Sequence, residues 1–165
     1  MSSLEQMYQQ VILDHAKHPV GRGLVAVDGG HLHGESHQVN PTCGDEVTLR
    51  VDVVPAADGA PARVAGVSWE GQGCSISQAS VSVMTDLVSN QPLDEVARLD
   101  ALFHDLMSSR GKGLDDDAAE DDLGDATAFT GVSKYPARIK CALLGWAALK
   151  DSLVRSGASA TATNH

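Results

Sequence analysis

Apolar and polar residues follow one another along this chain with periods that change from segment to segment. Leu4, Met7, Tyr8, Val11, Ile12 and His15 recur at three- and four-residue steps, which is one face of a helix. Ser2 and Glu5 have capping-box spacing at its start, and Pro19 ends it. Residues 20–40 mix glycine with histidine and read as loop, with a short strand near 24–27. Val47, Leu49, Val51 and Val53 then alternate with Glu46, Thr48, Arg50 and Asp52, the period of a half-buried strand. Asp58-Gly59 turns the chain. Val64, Val67 and Trp69 bring a second strand back as a hairpin, with Gly66 marking a bulge.

After the break at Gly71-Gln72-Gly73 the pattern becomes helical over 75–88. It does so again from Pro92 through Leu93, Val96, Leu99, Leu102, Phe103 and Leu106, and once more from Tyr135 or Pro136 to about Val154. Residues 108–131 differ: they read as an exposed acidic insertion in loop form. Residues 156–165 read as a flexible tail. The order helix, small antiparallel sheet of about three strands, several helices defines an α+β fold, expected as one domain over 1–155.

Composition narrows the function. The 165 residues carry 22 acids against 12 bases, a formal charge of −10. Such a balance excludes a nucleic-acid surface and a polybasic membrane anchor. Seven of the acids lie in 115–125 with no base among them, so the remainder holds 15 acids against 12 bases, or −3. No apolar run approaches the roughly 18 residues a membrane span needs. The polar, acidic first ten residues do not form a secretory signal, and a cytoplasmic location is expected.

Three cysteines, an odd number, fit reduced thiols better than a disulfide framework. Cys43 lies in a turn before the strongest strand, Cys74 at a helix start, and Cys141 inside the last helix. Their separations of 31 and 67 residues make no zinc-knuckle spacing, and three small buried side chains would satisfy composition alone. Local chemistry points elsewhere. A glycine-rich turn exposes a thiol, and a helix start stabilises a thiolate. Asp45 is close enough to Cys43 to share an ion, although an aspartate there also serves as an ordinary turn residue. Three thiolates and one carboxylate would close a tetrahedral zinc site of formal charge −2, which calls for nearby cations. Arg138 falls on the helix face of Cys141, Lys140 is adjacent, and Lys134 precedes them. These three bases form a small positive patch on an acidic protein.

Asn40-Pro-Thr-Cys-Gly-Asp45, Gly71-Gln-Gly-Cys-Ser-Ile-Ser-Gln-Ala-Ser80 and Ser133-Lys-Tyr-Pro-Ala-Arg-Ile-Lys-Cys-Ala142 resemble the three signature stretches of the IscU/SufU (NifU N-terminal-like) family of iron–sulfur cluster assembly proteins. The resemblance runs from about Leu4 to about Leu153. Lys140 stands where IscU-type scaffolds carry histidine, and an extra segment separates the second and third cysteines. Both features resemble the SufU type.

That resemblance implies Cys43, Asp45, Cys74 and Cys141 as zinc ligands, Cys43 as sulfur acceptor, and Arg138 as a residue engaging the partner. It further implies a zinc-dependent sulfurtransferase. The partner would be a SufS-type, pyridoxal-phosphate-dependent cysteine desulfurase, and the sulfur would pass to a downstream SUF scaffold or another iron–sulfur acceptor. In the SufU type a histidine of the desulfurase is thought to replace Cys43 on the metal. Two other readings stand beside it: a scaffold on which a transient [2Fe–2S] cluster is built, and a regulatory module with structural zinc. The positive patch is the expected docking surface.

His31, His33 and His37 form an H-x-H-x₃-H run that could suggest a metal site, but Gly29-Gly30 before it and Gly34 within it favour a flexible polar loop. His15 falls on an apolar helix face, where a hydrogen-bonded, half-buried histidine is the ordinary case.

Overall fold

The structure, a computed structural model, describes residues 3–158. Its elements are α1 (Ser3–Lys17), β1 (Leu32–Asn40), β2 (Asp45–Val54), β3 (Arg63–Gln72), α2 (Ser75–Val88), α3 (Leu93–Met107), α4 (Asp117–Leu123), a 3₁₀ segment (Gly124–Lys134) and α5 (Pro136–Ser156). The three strands form one antiparallel sheet in chain order, the α+β architecture the periodicity predicts. Ser2 and most of the expected C-terminal tail lie outside the described residues.

β2 is the spine of the fold. Val47, Leu49, Val51 and Val53 face inward with at most 1% of their surface exposed, while Glu46, Thr48, Arg50 and Asp52 face out. The turn to β3 uses positive φ at Asp58 (52°) and Gly59 (80°), the pattern of a type I′ hairpin turn. The register slips by one between Asp52 and Val53, so Ala65 beside Gly66 is the extra residue of the expected bulge. Trp69 is wholly buried, and its Nε1 donates to Val20 O at 2.8 Å.

Two expectations fail. Residues 24–27 are not a strand; β1 begins at Leu32, directly after His31, and carries His33 and His37. Its inward positions are Gly34, Ser36 and Asn40, small or polar, so apolar alternation is missing. The reason is α5. A Cβ at Gly34 would collide with the Ser152 carbonyl, so the helix backbone lies directly on the strand. Ser36 Oγ donates to Asp151 Oδ2 (2.7 Å), fastening the same contact, and Ser152 Oγ reaches past β1 to Leu49 O on β2 (3.2 Å).

Nor is 108–131 a plain loop. Asp116 caps α4, its Oδ1 accepting from the Ala118 and Ala119 N–H groups, and the 3₁₀ segment follows. Leu123, Ala126 and Phe129 are fully buried and Val132 nearly so. Phe129 meets Phe103 edge-on at 5.9 Å, and Phe103 stacks on Trp146 at 4.9 Å. The acids stay on the outside, where Arg98 ties Asp122 (2.9 Å) to Glu95 (2.7 Å).

α2 is apolar or small nearly all round and runs through the centre of the molecule. Its buried hydroxyls are satisfied: Ser80 donates to Ala142 O and Thr85 to Val81 O. α1 has no fully buried residue. His15 anchors it, with Nδ1 2.7 Å from Ser82 Oγ and Nε2 3.0 Å from Asp125 Oδ2, as expected for a satisfied histidine. Leu4 and Met7 stay exposed (53% and 61%).

Candidate metal centre

Three elements converge at one end of the sheet. Asn40 ends β1 with its carbonyl accepting from Gly44 N (2.9 Å) and its Oδ1 from Thr42 N (3.2 Å), which curls 40–44 into a tight turn. Gly44, at φ 74°, lets Cys43 stand out while Asp45 turns inward to begin β2. Across the sheet, β3 ends and Cys74 caps α2. Cys141 sits in the second turn of α5, which Pro136 starts with its ring at a helix N-terminal position.

The donor atoms meet around Asp45, a carboxylate with no exposed surface. Cys43 Sγ lies 2.9 Å from Asp45 Oδ2 and 3.3 Å from Cys141 Sγ. Cys43, Asp45 and Cys141 each place a donor atom within 4.8 Å of the other two. Cys74 stands beside this group: its N–H donates to Asp45 Oδ1 at 2.9 Å, and its Sγ is 3.8 Å from Asp45 Oδ2. Cys43 and Cys74 are exposed and Cys141 is buried, so the group opens to solvent on one side.

Gly73 makes this approach possible. A Cβ there would collide with the Asp45 carboxylate, and its φ of 153° disfavours a side chain in any case. Nothing in the periodicity of the chain marks Gly73 out from Gly71, so the sequence reading missed its role.

The electrostatics fit a site made for a cation. Burial pulls the Asp45 carboxyl upward. Hydrogen bonds from the Cys141 and Cys43 thiols and from the Cys74 N–H and thiol outweigh it, holding the group below the usual carboxylate range. Burial pushes the Cys141 thiol far up, reinforced by its hydrogen bonds to Asp45 and Cys43 and by the negative charge of Cys74 and Asp45. A thiol in such surroundings becomes a thiolate only when a positive charge joins it.

The donor set also fits zinc by size. Zn–S bonds of about 2.3 Å and a Zn–O bond of about 2.0 Å set tetrahedral edges of about 3.8 Å for S···S and 3.5 Å for S···O. The two separations at Cys43 are about half an ångström shorter, a small outward adjustment for that exposed residue, and Cys74 Sγ at 3.8 Å from Asp45 Oδ2 is slightly longer.

Arg138 lies in the first turn of α5 with its guanidinium 5.7 Å from the Tyr135 ring centroid. It lines, with Lys134, the rim of a cavity of about 530 Å³ between α1 and the 3₁₀ segment, floored by Tyr8, Ile12, Ile76 and Val132. Ile76 is two residues beyond Cys74, so the cavity and the thiol group are neighbours. Lys140 is exposed on the following turn.

A three-stranded sheet whose end gathers thiols and a carboxylate from three segments defines a small α+β protein with a candidate thiolate metal centre. Residues 7–142 match the family described as NifU-like N terminal domain, and the chain belongs to that family. It is 39% identical over 158 residues to the zinc-dependent sulfurtransferase SufU of Bacillus subtilis, covering 93% of this chain and 94% of that protein. It is 34% identical to the iron–sulfur cluster assembly scaffold protein IscU of Streptococcus pyogenes, over 94% of this chain and 88% of that one.

Among solved structures, a putative iron–sulfur cluster assembly scaffold protein for the SUF system from Fervidobacterium islandicum superimposes with TM-score 0.61 at 32% identity. That match covers 92% of this chain and 99% of the other. The N-terminal part of a NifU-like protein from Brucella abortus shares the fold at TM-score 0.70 and 23% identity, covering 94% and 98%. No helix among the described residues is long and apolar enough to cross a membrane.

Proposed function

We propose that this protein is a zinc-dependent sulfurtransferase of the SufU type, working in the cytoplasm. It takes sulfur from the persulfide of a SufS-type cysteine desulfurase and passes it toward iron–sulfur assembly. The observation that carries the reading is the exposed Cys43 thiol held against buried Asp45 and Cys141. The 39% identity to the B. subtilis sulfurtransferase supports it.

Cys43, Asp45, Cys74 and Cys141 are the proposed ligands. Zinc bound to them would keep the thiols as thiolates at neutral pH. Cys43, the exposed donor of the tight group, is the acceptor. Its thiolate attacks the terminal sulfur of the partner's persulfide. The new S–S bond forms on Cys43, the partner's S–S bond breaks, and its electron pair leaves with the partner's cysteine as thiolate. No net oxidation occurs. Asp45, Cys74 and Cys141, each on a different element, hold the site's shape while Cys43 engages. Arg138, with Lys134 and Lys140, forms the basic patch on which the desulfurase docks.

The test is alanine release from cysteine by the desulfurase with and without the zinc-loaded protein. Cys43→Ala is expected to remove the stimulation entirely while the variant keeps its fold. Undiminished stimulation would refute the acceptor role. Arg138→Ala is expected to retain zinc and lose stimulation; loss of zinc would make it a structural counter-charge instead.

A second reading, a scaffold for a [2Fe–2S] cluster, draws on the 34% identity to IscU. Three thiolates suit either ion. One zinc per chain in colourless, anaerobically purified protein favours the sulfurtransferase. Iron, sulfide and a brown colour favour the scaffold.

A further inference from the structure

The histidines of β1 take no part in the thiol centre, and the strand gives them a setting that a flexible loop would not. His31 enters β1 from a fixed turn: its N–H donates to Asp28 O (3.0 Å), and Gly30 N donates to Asp28 Oδ1 (2.9 Å). His33, two residues on, shares its side of the pleat. Asp52 on β2 pairs directly with His33 in the register, and its Oδ1 lies 2.6 Å from His31 Nδ1. One carboxylate is therefore paired with one imidazole and lies across the strand from the residue that carries a second. Directly opposed residues of antiparallel strands place their Cβ atoms about 4.5–5.5 Å apart, within reach of a rotating imidazole.

We propose that His31, His33 and Asp52 form a second divalent-metal site, taking Zn²⁺ or a neighbouring first-row ion through two imidazoles and one carboxylate. The donor types are those such ions select, and water would complete the shell. His31 and Asp52 are about three-quarters buried and already together. His33 is exposed and its donor atoms are not yet gathered with the pair, so the site requires its imidazole to swing in from the facing strand. Arg50, two residues from Asp52 along β2, is committed to Glu35 at 2.8 Å and to Val25 O. His37 is two strand steps further on and paired with Glu46 at 3.0 Å. The seven residue-to-residue steps from His33 to Asn40 span about 24 Å, so this site shares no ligand with the thiols at the other end of the sheet.

The experiment titrates Zn²⁺ into the full chain, following heat and the histidine side-chain ¹H–¹⁵N resonances. The resonances report on the imidazoles whatever the thiols hold. Zinc added beyond the thiol equivalent is expected to bind in the micromolar range and to shift His31 and His33 but not His37. His33→Ala is expected to weaken this second event by at least about tenfold, with the first zinc and the unfolding midpoint unchanged. His37→Ala is expected to leave both events intact. Absence of a second event, its survival at full strength in His33→Ala, or shifts centred on His37 would each overturn the site.

Discussion

Asp45 owes its place to a side chain that is absent. Because Gly73 carries no Cβ, the Cys74 N–H reaches the carboxylate, and a buried acid gains hydrogen bonds in exchange for water. Cys43, Cys74, Cys141 and Asp45 were legible as candidates from residue type and local context; the glycine that lets them meet was not, because its partner lies 28 positions away in the chain. Asp100 shows the opposite balance. Burial raises its carboxyl above the usual range, with the charges of His104 and Lys150 only partly offsetting it, and its Oδ1 has no hydrogen bond. A raised acid favours the folded state when protonated. Its penalty is absent below the ordinary carboxylate range, grows as pH rises from that range to the folded value, and is complete above it. Asp100→Asn is therefore expected to melt higher than wild type at pH 7, and the gap is expected to close as pH falls to about 4. Melting curves across that range check it; a gap independent of pH would assign the effect to packing.

At the scale of elements, the 3₁₀ segment teaches most. Leu123, Ala126, Phe129 and Val132 recur every three residues, the repeat of a 3₁₀ helix and of neither an α-helix nor a strand. A reading tuned to periods of two and 3.6 sees only the acids around them. β1 escaped notice for a related reason, since its inward residues are small to admit α5 and leave no apolar signal. By contrast β2, α2, α3 and α5 bury ordinary stripes and were placed to within a residue or two. Phe129→Ala is expected to destabilise the fold by about 3–5 kcal/mol, read from the denaturant midpoint at constant slope. An exposed-loop residue at that position would cost less than about 0.5 kcal/mol.

For the whole molecule, seven of the acids behind the charge of −10 are concentrated on and beside α4, from Asp115 to Asp125, while Lys134, Arg138 and Lys140 make a basic rim. The family and the α+β fold were legible because three motifs in order are hard to meet by chance. The cavity beside the thiols was not, because it forms between α1 and a segment read as loop. Under the proposed function, zinc at 100 times its dissociation constant adds about 2.7 kcal/mol to stability, raising the melting temperature by several degrees. Calorimetry with and without a chelator checks this, and Cys141→Ala is expected to melt at the same temperature in both.

The proposed ligands stand at positions 43, 45, 74 and 141 of the chain, the last on the C-terminal helix among the described residues. Translation runs from the N-terminus. The ribosome releases the first thiols and the carboxylate long before the fourth ligand, and α5 must then lay its backbone along β1 to deliver it. During synthesis the nascent chain thus presents reactive sulfur with an incomplete cage. Under the proposed function, capture of the ion becomes a late checkpoint, passed only by chains extended through α5 and correctly closed.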